Sequence, residues 1–153
     1  MFEVDKMILR KAKKYEVNLL NELAYDSEAI WGEERAYMEK FRAEYKLTEK
    51  MVDEDLVYVL EDKSIIGFFL VLLGEVPELE LFYIEKSFIG DGYGKLLWHM
   101  MLDLLSEKSI KRFGLVASSD VRDFYLKLGA KEVERKASIL KEGRMVYRLE
   151  YDF

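Results

Sequence analysis

Ile65–Leu73 is an apolar run broken only by Gly67. Such a strand has no polar face to turn toward water, so it predicts burial on both faces within a layered fold. It is far too short to cross a bilayer. The flanking segments supply its neighbours. Leu56–Leu60 is β-rich and joins the run through the polar turn Glu61–Ser64, and Gly74–Pro77 breaks the chain ahead of another strand, Leu79–Ile84. Met7–Lys11 reads as a short first strand and Phe113–Ala117 as a later one. Val133–Leu140 and Met145–Tyr151 read as a closing hairpin, with Gly143 in its turn, Lys141–Arg144.

Helical periodicity fills the intervals. Val17, Leu20, Ala24 and Ile30, with Leu19 and Leu23, form one stripe, and Tyr37, Phe41 and Tyr45 recur at every fourth position of a second helix from about Glu33. A third helix is predicted over Gly92–Ser106. A fourth spans Ser119–Leu128, with Ser118 or Ser119 as its cap and Gly129 at its end. The order β-α-α-β-β-β-α-β-α-β-β predicts a mixed α/β sheet with helices on both faces. No Pro/Gly/Ser-rich linker or internal repeat divides the 153 residues, so one domain, 1–153, is expected.

Composition narrows the function. A formal net charge of −6 argues against a nucleic-acid binder, which needs a basic stripe to neutralise phosphates. The short basic run Lys11, Lys13 and Lys14 reads as the solvated approach to a helix. The chain has no cysteine and a single histidine, His99, which excludes thiolate chemistry and argues against a metal site. His99 reads as a surface residue, and Trp98, Met100 and Met101 as core. Met1–Arg10 mixes charged and apolar residues, so no signal peptide is expected. No membrane association and a cytoplasmic location follow as expectations.

The most informative stretch is Ile84–Lys95, with Gly90, Gly92 and Gly94 between a strand and a helix. Glycines let the backbone approach a ligand, and a helix N-terminus offers free N–H groups and a positive dipole end. The combination suits a pyrophosphate. GxGxxG would need glycine where Lys95 stands, and a Walker loop would need Ser or Thr in place of Leu96. An ordinary strand-to-helix turn is the alternative.

Taken with Phe124-Tyr125-Leu126-Lys127-Leu128-Gly129 and Ser27-Glu-Ala-Ile-Trp-Gly32, the loop Ile89-Gly90-Asp91-Gly92-Tyr93-Gly94 resembles the GNAT superfamily of N-acetyltransferases, whose element order is matched from about residue 7 to the end. The resemblance implies a GNAT-like fold: a central, mostly antiparallel sheet splayed between strands 4 and 5. Acetyl-coenzyme A would lie in the gap as co-substrate. Its pantetheine arm would pair near Phe82, Tyr83 and Ile84, and its pyrophosphate would rest over Ile89, Gly90, Asp91, Gly92, Tyr93, Gly94 and Lys95, with Ser118 and Tyr125 completing the set. Ile89 stands where Arg or Gln is common in the family. Asp91 would repel a pyrophosphate and is expected to face solvent, with Lys95 or Lys86 supplying positive charge. Members often pair, so a homodimer is compatible with the resemblance, although no segment reads as an interface.

Acyl transfer from a thioester to an amine needs a base for the amine and an acid for the leaving thiolate. By resemblance Tyr125 is the candidate acid; its residue type alone reads instead as a helix-face tyrosine packed into the core. Glu78 and Glu80 are candidate bases. Strand alternation puts them on one face with Phe82 and Ile84, while solvated strand-end carboxylates are the alternative. Trp31 is the candidate acceptor-binding residue, beside Glu28, Glu33 and Glu34, which read either as an attraction for a cationic amine or as a solvated acidic surface. The chain is thus expected to transfer an acetyl group to a primary amine of a small molecule or a protein, in one ternary complex and without a metal. A non-catalytic acyl-CoA-binding or regulatory module on the same fold is the alternative.

Overall fold

The structure is a computed structural model that describes residues 6–153. The reading of Met1–Arg10 as lacking a leader rests partly on residues 1–5, which lie outside the described residues. In chain order the elements are β1 (Ile8–Lys11), α1 (Val17–Ala29), α2 (Arg35–Glu44), α3 (Glu49–Glu54), β2 (Leu56–Asp62), β3 (Ser64–Leu72), β4 (Glu78–Ile84), α4 (Tyr93–Glu107), β5 (Arg112–Ala117), α5 (Ser119–Lys127), β6 (Lys131–Ala137) and β7 (Met145–Asp152). The strands form a seven-stranded sheet in the order β1-β2-β3-β4-β5-β7-β6. Its neighbours pair antiparallel except β4 and β5.

The apolar run forms β3, an interior strand between β2 and β4, and it is buried on both faces as its composition requires. Phe69 and Val71 enter one core with Leu97, Trp98 and Met101 of α4 and Tyr125 of α5. Phe68 and Leu70 enter a second core with Leu20 and Ala24 of α1 and Phe41 of α2. Each such aromatic or aliphatic side chain contributes about 1.5–3 kcal/mol on burial, so this strand anchors both layers. The result is the mixed α/β sheet with helices on both faces that the periodicities predict.

The departures have local causes. Helix α3 is too short to carry a periodic stripe; it is opened by Thr48, whose Oγ1 accepts the Met51 amide at 3.3 Å. Leu19 and Ile30 are exposed, so the buried stripe of α1 is narrower than expected: Val17, Leu20, Leu23, Ala24 and Ser27. Ser118 takes the N-cap position of α5, but its side chain makes no capping bond. Instead its carbonyl accepts from Val121 and Arg122. β6 ends at Ala137, and its link to β7 is longer than a tight turn. Ser138 Oγ accepts the Leu140 and Lys141 amides at 3.1 and 3.2 Å, and Gly143 takes a φ of 81°.

One irregularity decides the shape of the site. In the β3–β4 register Leu70 pairs with Leu81 but Val71 pairs with Leu79, leaving Glu80 as an extra residue. This is a β-bulge, which bends a strand and re-aims a side chain. Leu79 consequently joins Phe82 and Ile84 in one core, while Leu81 joins the other. The strict alternation that would align Glu78 and Glu80 with Phe82 and Ile84 is therefore broken, and that expectation is corrected.

Candidate active site

β4 and β5 pair only through Glu78 with Gly114 and Leu79 with Leu115. Beyond that point they part, and the edge of β4 that faces β5 has no partner strand from Glu80 to Ile84. The gap forms part of a cleft of about 530 Å³. Phe82, Tyr83 and Ile84 line one wall, Leu115, Val116 and Ser118 another, and the glycine loop closes one end.

At that end Gly90 and Gly92 adopt φ of 90° and 89°, a left-handed geometry that side chains resist. Gly92 is the N-cap of α4, so the loop runs straight into the helix N-terminus. Among the described residues no group accepts the amides of Gly90, Asp91, Gly92, Gly94 or Lys95. Gly94 is needed for a different reason: a Cβ there would meet the Phe124 ring at 3.3 Å. Ile89, Gly90, Gly92, Gly94 and Lys95 line the cleft; Asp91 is exposed and, with Tyr93, outside the lining. Lys86 lies 4.0 Å from Asp26, so Lys95 is the cation at this end of the cleft.

Tyr125 lies deeper, where β4 and α5 face each other. Its ring packs against Phe82 at 6.1 Å and Trp98 at 5.6 Å, and it also lines the cleft. Its hydroxyl makes no hydrogen bond to another described residue. Burial, with a smaller contribution from the charge of Glu28, pushes its pKa up and keeps it a neutral phenol.

The other end of the cleft is lined by Trp31, Tyr37, Phe41 and Tyr45, by Glu28 and Glu80, and by the start of the β6–β7 hairpin. Glu28, near the end of α1, turns inward. Its Oε1 accepts the Tyr83 hydroxyl at 2.8 Å, and its Oε2 accepts the Tyr37 hydroxyl at 3.0 Å. Burial raises its pKa against the opposing effect of the two tyrosine hydrogen bonds. Glu80 is brought in by the bulge; burial and then the neighbouring Glu78 raise its pKa, with Lys136 opposing. Glu78 lies outside the lining. Its Oε1 accepts from Arg148 Nη1 at 2.6 Å, an ion pair that already engages it. Glu33 is likewise engaged, by both Nη atoms of Arg144, and Glu34 is exposed. Trp31 sits just past α1, about half exposed, on the cleft wall. His99 is on the surface, and Trp98 and Met101 are fully buried.

Sequence reasoning named Glu28 only as one of three acidic neighbours of Trp31. Its distinction comes from Tyr83, 55 residues away, which no local pattern reveals. The position of Glu28 three residues before Trp31 was the available signal.

A family model for the acetyltransferase (GNAT) domain matches residues 21–145. The chain belongs to the GNAT acetyltransferase family. No curated protein sequence matches it. Among solved structures, this GNAT chain is similar to the PaiA N-acetyltransferase from Thermoplasma acidophilum in complex with coenzyme A, at 20% identity, 96% of this chain, 99% of that one and a TM-score of 0.76. It is also similar to the ribosomal-protein-S18-alanine N-acetyltransferase from Escherichia coli, at 12% identity, 95% and 93% coverage and a TM-score of 0.73. A GNAT family acetyltransferase from Elizabethkingia anophelis with acetyl-CoA bound matches at 13% identity, 97% and 99% coverage and a TM-score of 0.68. At these identities the likeness is one of fold. No helix among the described residues is long and apolar enough to cross a membrane, and no three acidic or histidine side chains gather as a metal site would require.

Proposed function

We propose that the chain is an N-acetyltransferase that moves an acetyl group from acetyl-coenzyme A to a primary amine of a small molecule or a protein. The observation that carries this reading is the parting of β4 and β5 beside open loop amides, in a member of a family of acyltransferases. Two of the solved relatives were determined with coenzyme A or acetyl-CoA bound.

The residues fit the group. The free edge of β4 can pair with the amides of a pantetheine arm much as it would with an added strand. The amides of Gly90, Asp91 and Gly92 and the start of α4 suit a diphosphate, with Lys95 adding charge. When bound, acetyl-coenzyme A supplies an activated thioester. Tyr125, a neutral phenol in the cleft, is suited to give its proton to the departing sulfur. The balance is one ammonium and one thioester in, and one amide, one thiol and one released proton out. Glu28 and Glu80 are the carboxylates positioned to take that proton.

Calorimetry with acetyl-coenzyme A and a thiol-release assay over an amine panel test the proposal. The expected result is binding with amine-dependent thiol release; absence of binding would overturn it. Tyr125→Phe should lower kcat about a hundredfold while leaving acetyl-coenzyme A affinity intact, within the usual range for removing an acid–base group.

A further inference from the structure

Among the better-enclosed carboxylates, Glu28 is the one whose partners are all neutral. Glu16, Glu33 and Glu78 are each matched by an arginine: Arg10, Arg144 and Arg148. Glu28 has only the Tyr37 and Tyr83 hydroxyls and forms no ion pair among the described residues. The other charges that act on it most are Glu33 and Asp120, both acidic. Arg144, which lies over the Tyr37 ring, is held through both Nη atoms by Glu33. An enclosed carboxylate in a negative field is costly unless a cation completes it.

We propose that Glu28 receives the acceptor, and that the acceptor is a cationic primary amine with an apolar or aromatic arm and no carboxylate beside the reacting nitrogen. This rests on the acyl-transfer reading above and names the substrate class of the same cleft. Each Glu28 oxygen spends one lone pair on a tyrosine and keeps another, so an ammonium can donate without displacing either tyrosine. One N–H proton then passes to a Glu28 oxygen. A cation and an anion become two neutral groups, and the nitrogen lone pair is freed. Trp31, Tyr37, Phe41 and Tyr45 give the arm an aromatic wall and the ammonium faces to approach. A carboxylate on the adjoining carbon would enter the same acidic field, where Arg144 is already engaged by Glu33 and Lys136, the lysine of the hairpin lining, acts on Glu80.

The test uses three matched probes: 2-phenylethylamine, its neutral counterpart 2-phenylethanol, and phenylalanine, which adds a carboxylate beside the nitrogen. Calorimetry on the full chain, alone and with coenzyme A added, reads binding without turnover. Wild type should bind 2-phenylethylamine at least about tenfold more tightly than the other two, the scale of one hydrogen bond to a charged group. Glu28→Gln, which preserves size, should erase that preference while leaving coenzyme A affinity and the circular dichroism spectrum unchanged. Preferred binding of phenylalanine by wild type, no binding of the amine, or an unchanged preference in the variant would each overturn the assignment. Thiol release from acetyl-coenzyme A separates the two claims. Amine binding lost in Glu28→Gln without any wild-type release would uphold Glu28 as a cation receiver and sink the transferase reading. Equal release by wild type and variant would uphold the transferase and remove Glu28.

Discussion

At the scale of single residues, the cleft works by keeping some groups neutral and one group charged at a cost. Tyr83 is pushed well above the usual tyrosine range, first by its own burial and then by the charge of Glu28, so it remains a donor to that carboxylate. Glu28 itself prefers its protonated form more than a free glutamate does, because burial outweighs its two hydrogen bonds. The sign for stability follows. A folded-state value above the unfolded one, about 4.3, means that the favourable contribution is complete below that pH and is lost as pH climbs through the raised value. The groups that face Glu28 are Tyr83 from β4, Tyr37 from α2, and the acidic Glu33 and Asp120, with Arg144 tied to Glu33. Urea unfolding at stepped pH should therefore show wild type losing stability from about pH 4.3 upward relative to Glu28→Gln. Parallel profiles for the two proteins would mean that the Glu28 carboxyl is not desolvated. Glu80 shares the direction of shift but is common to both proteins, so the difference between them isolates Glu28.

At the scale of elements, two short irregular pieces do the positioning, and they differ in how far the sequence announced them. The glycine loop was legible because its demands leave a mark in composition: Gly90 and Gly92 hold a positive φ, and Gly94 leaves room for the Phe124 ring. Gly92→Ala should destabilise the protein by about 1–2 kcal/mol, the cost of holding a side chain in the left-handed region. It should weaken acetyl-coenzyme A binding more than it weakens the fold, since the helix N-terminus would be re-aimed. Calorimetry beside thermal unfolding checks this; unchanged affinity would mean that the loop amides are not the ligand's donors. The bulge in β4 was not legible. Glu78-Leu-Glu-Leu-Phe-Tyr-Ile84 reads as regular alternation, and only pairing with β3 reveals that Glu80 has no opposite number. Helix α3 was missed for want of length, and the turn of α1 that carries Glu28 inward was hidden because its partner lies on a distant strand.

Across the whole molecule, the two cores and the cleft are consequences of one choice. β3 is apolar on both faces and so draws α4 and α5 to one side and α1 and α2 to the other. β4 and β5 do not pair past Leu79, and β5, which follows a helical crossover, pairs instead with β7 from Arg112 to Ala117. What remains between the halves is a strand edge already in extended geometry, at the junction of both cores. Binding there needs little rearrangement of either layer. Hydrogen exchange with and without acetyl-coenzyme A should therefore show the largest added protection in β4 beyond Leu79, in the loop around Gly90–Gly92 and in the first turn of α4. The β2–β3 amides, which exchange only on global opening, should slow no more than mass action by the bound ligand requires. Slowing at the β4 and loop amides no greater than that of the β2–β3 pairing would mean that no contact is localised at the parted strands.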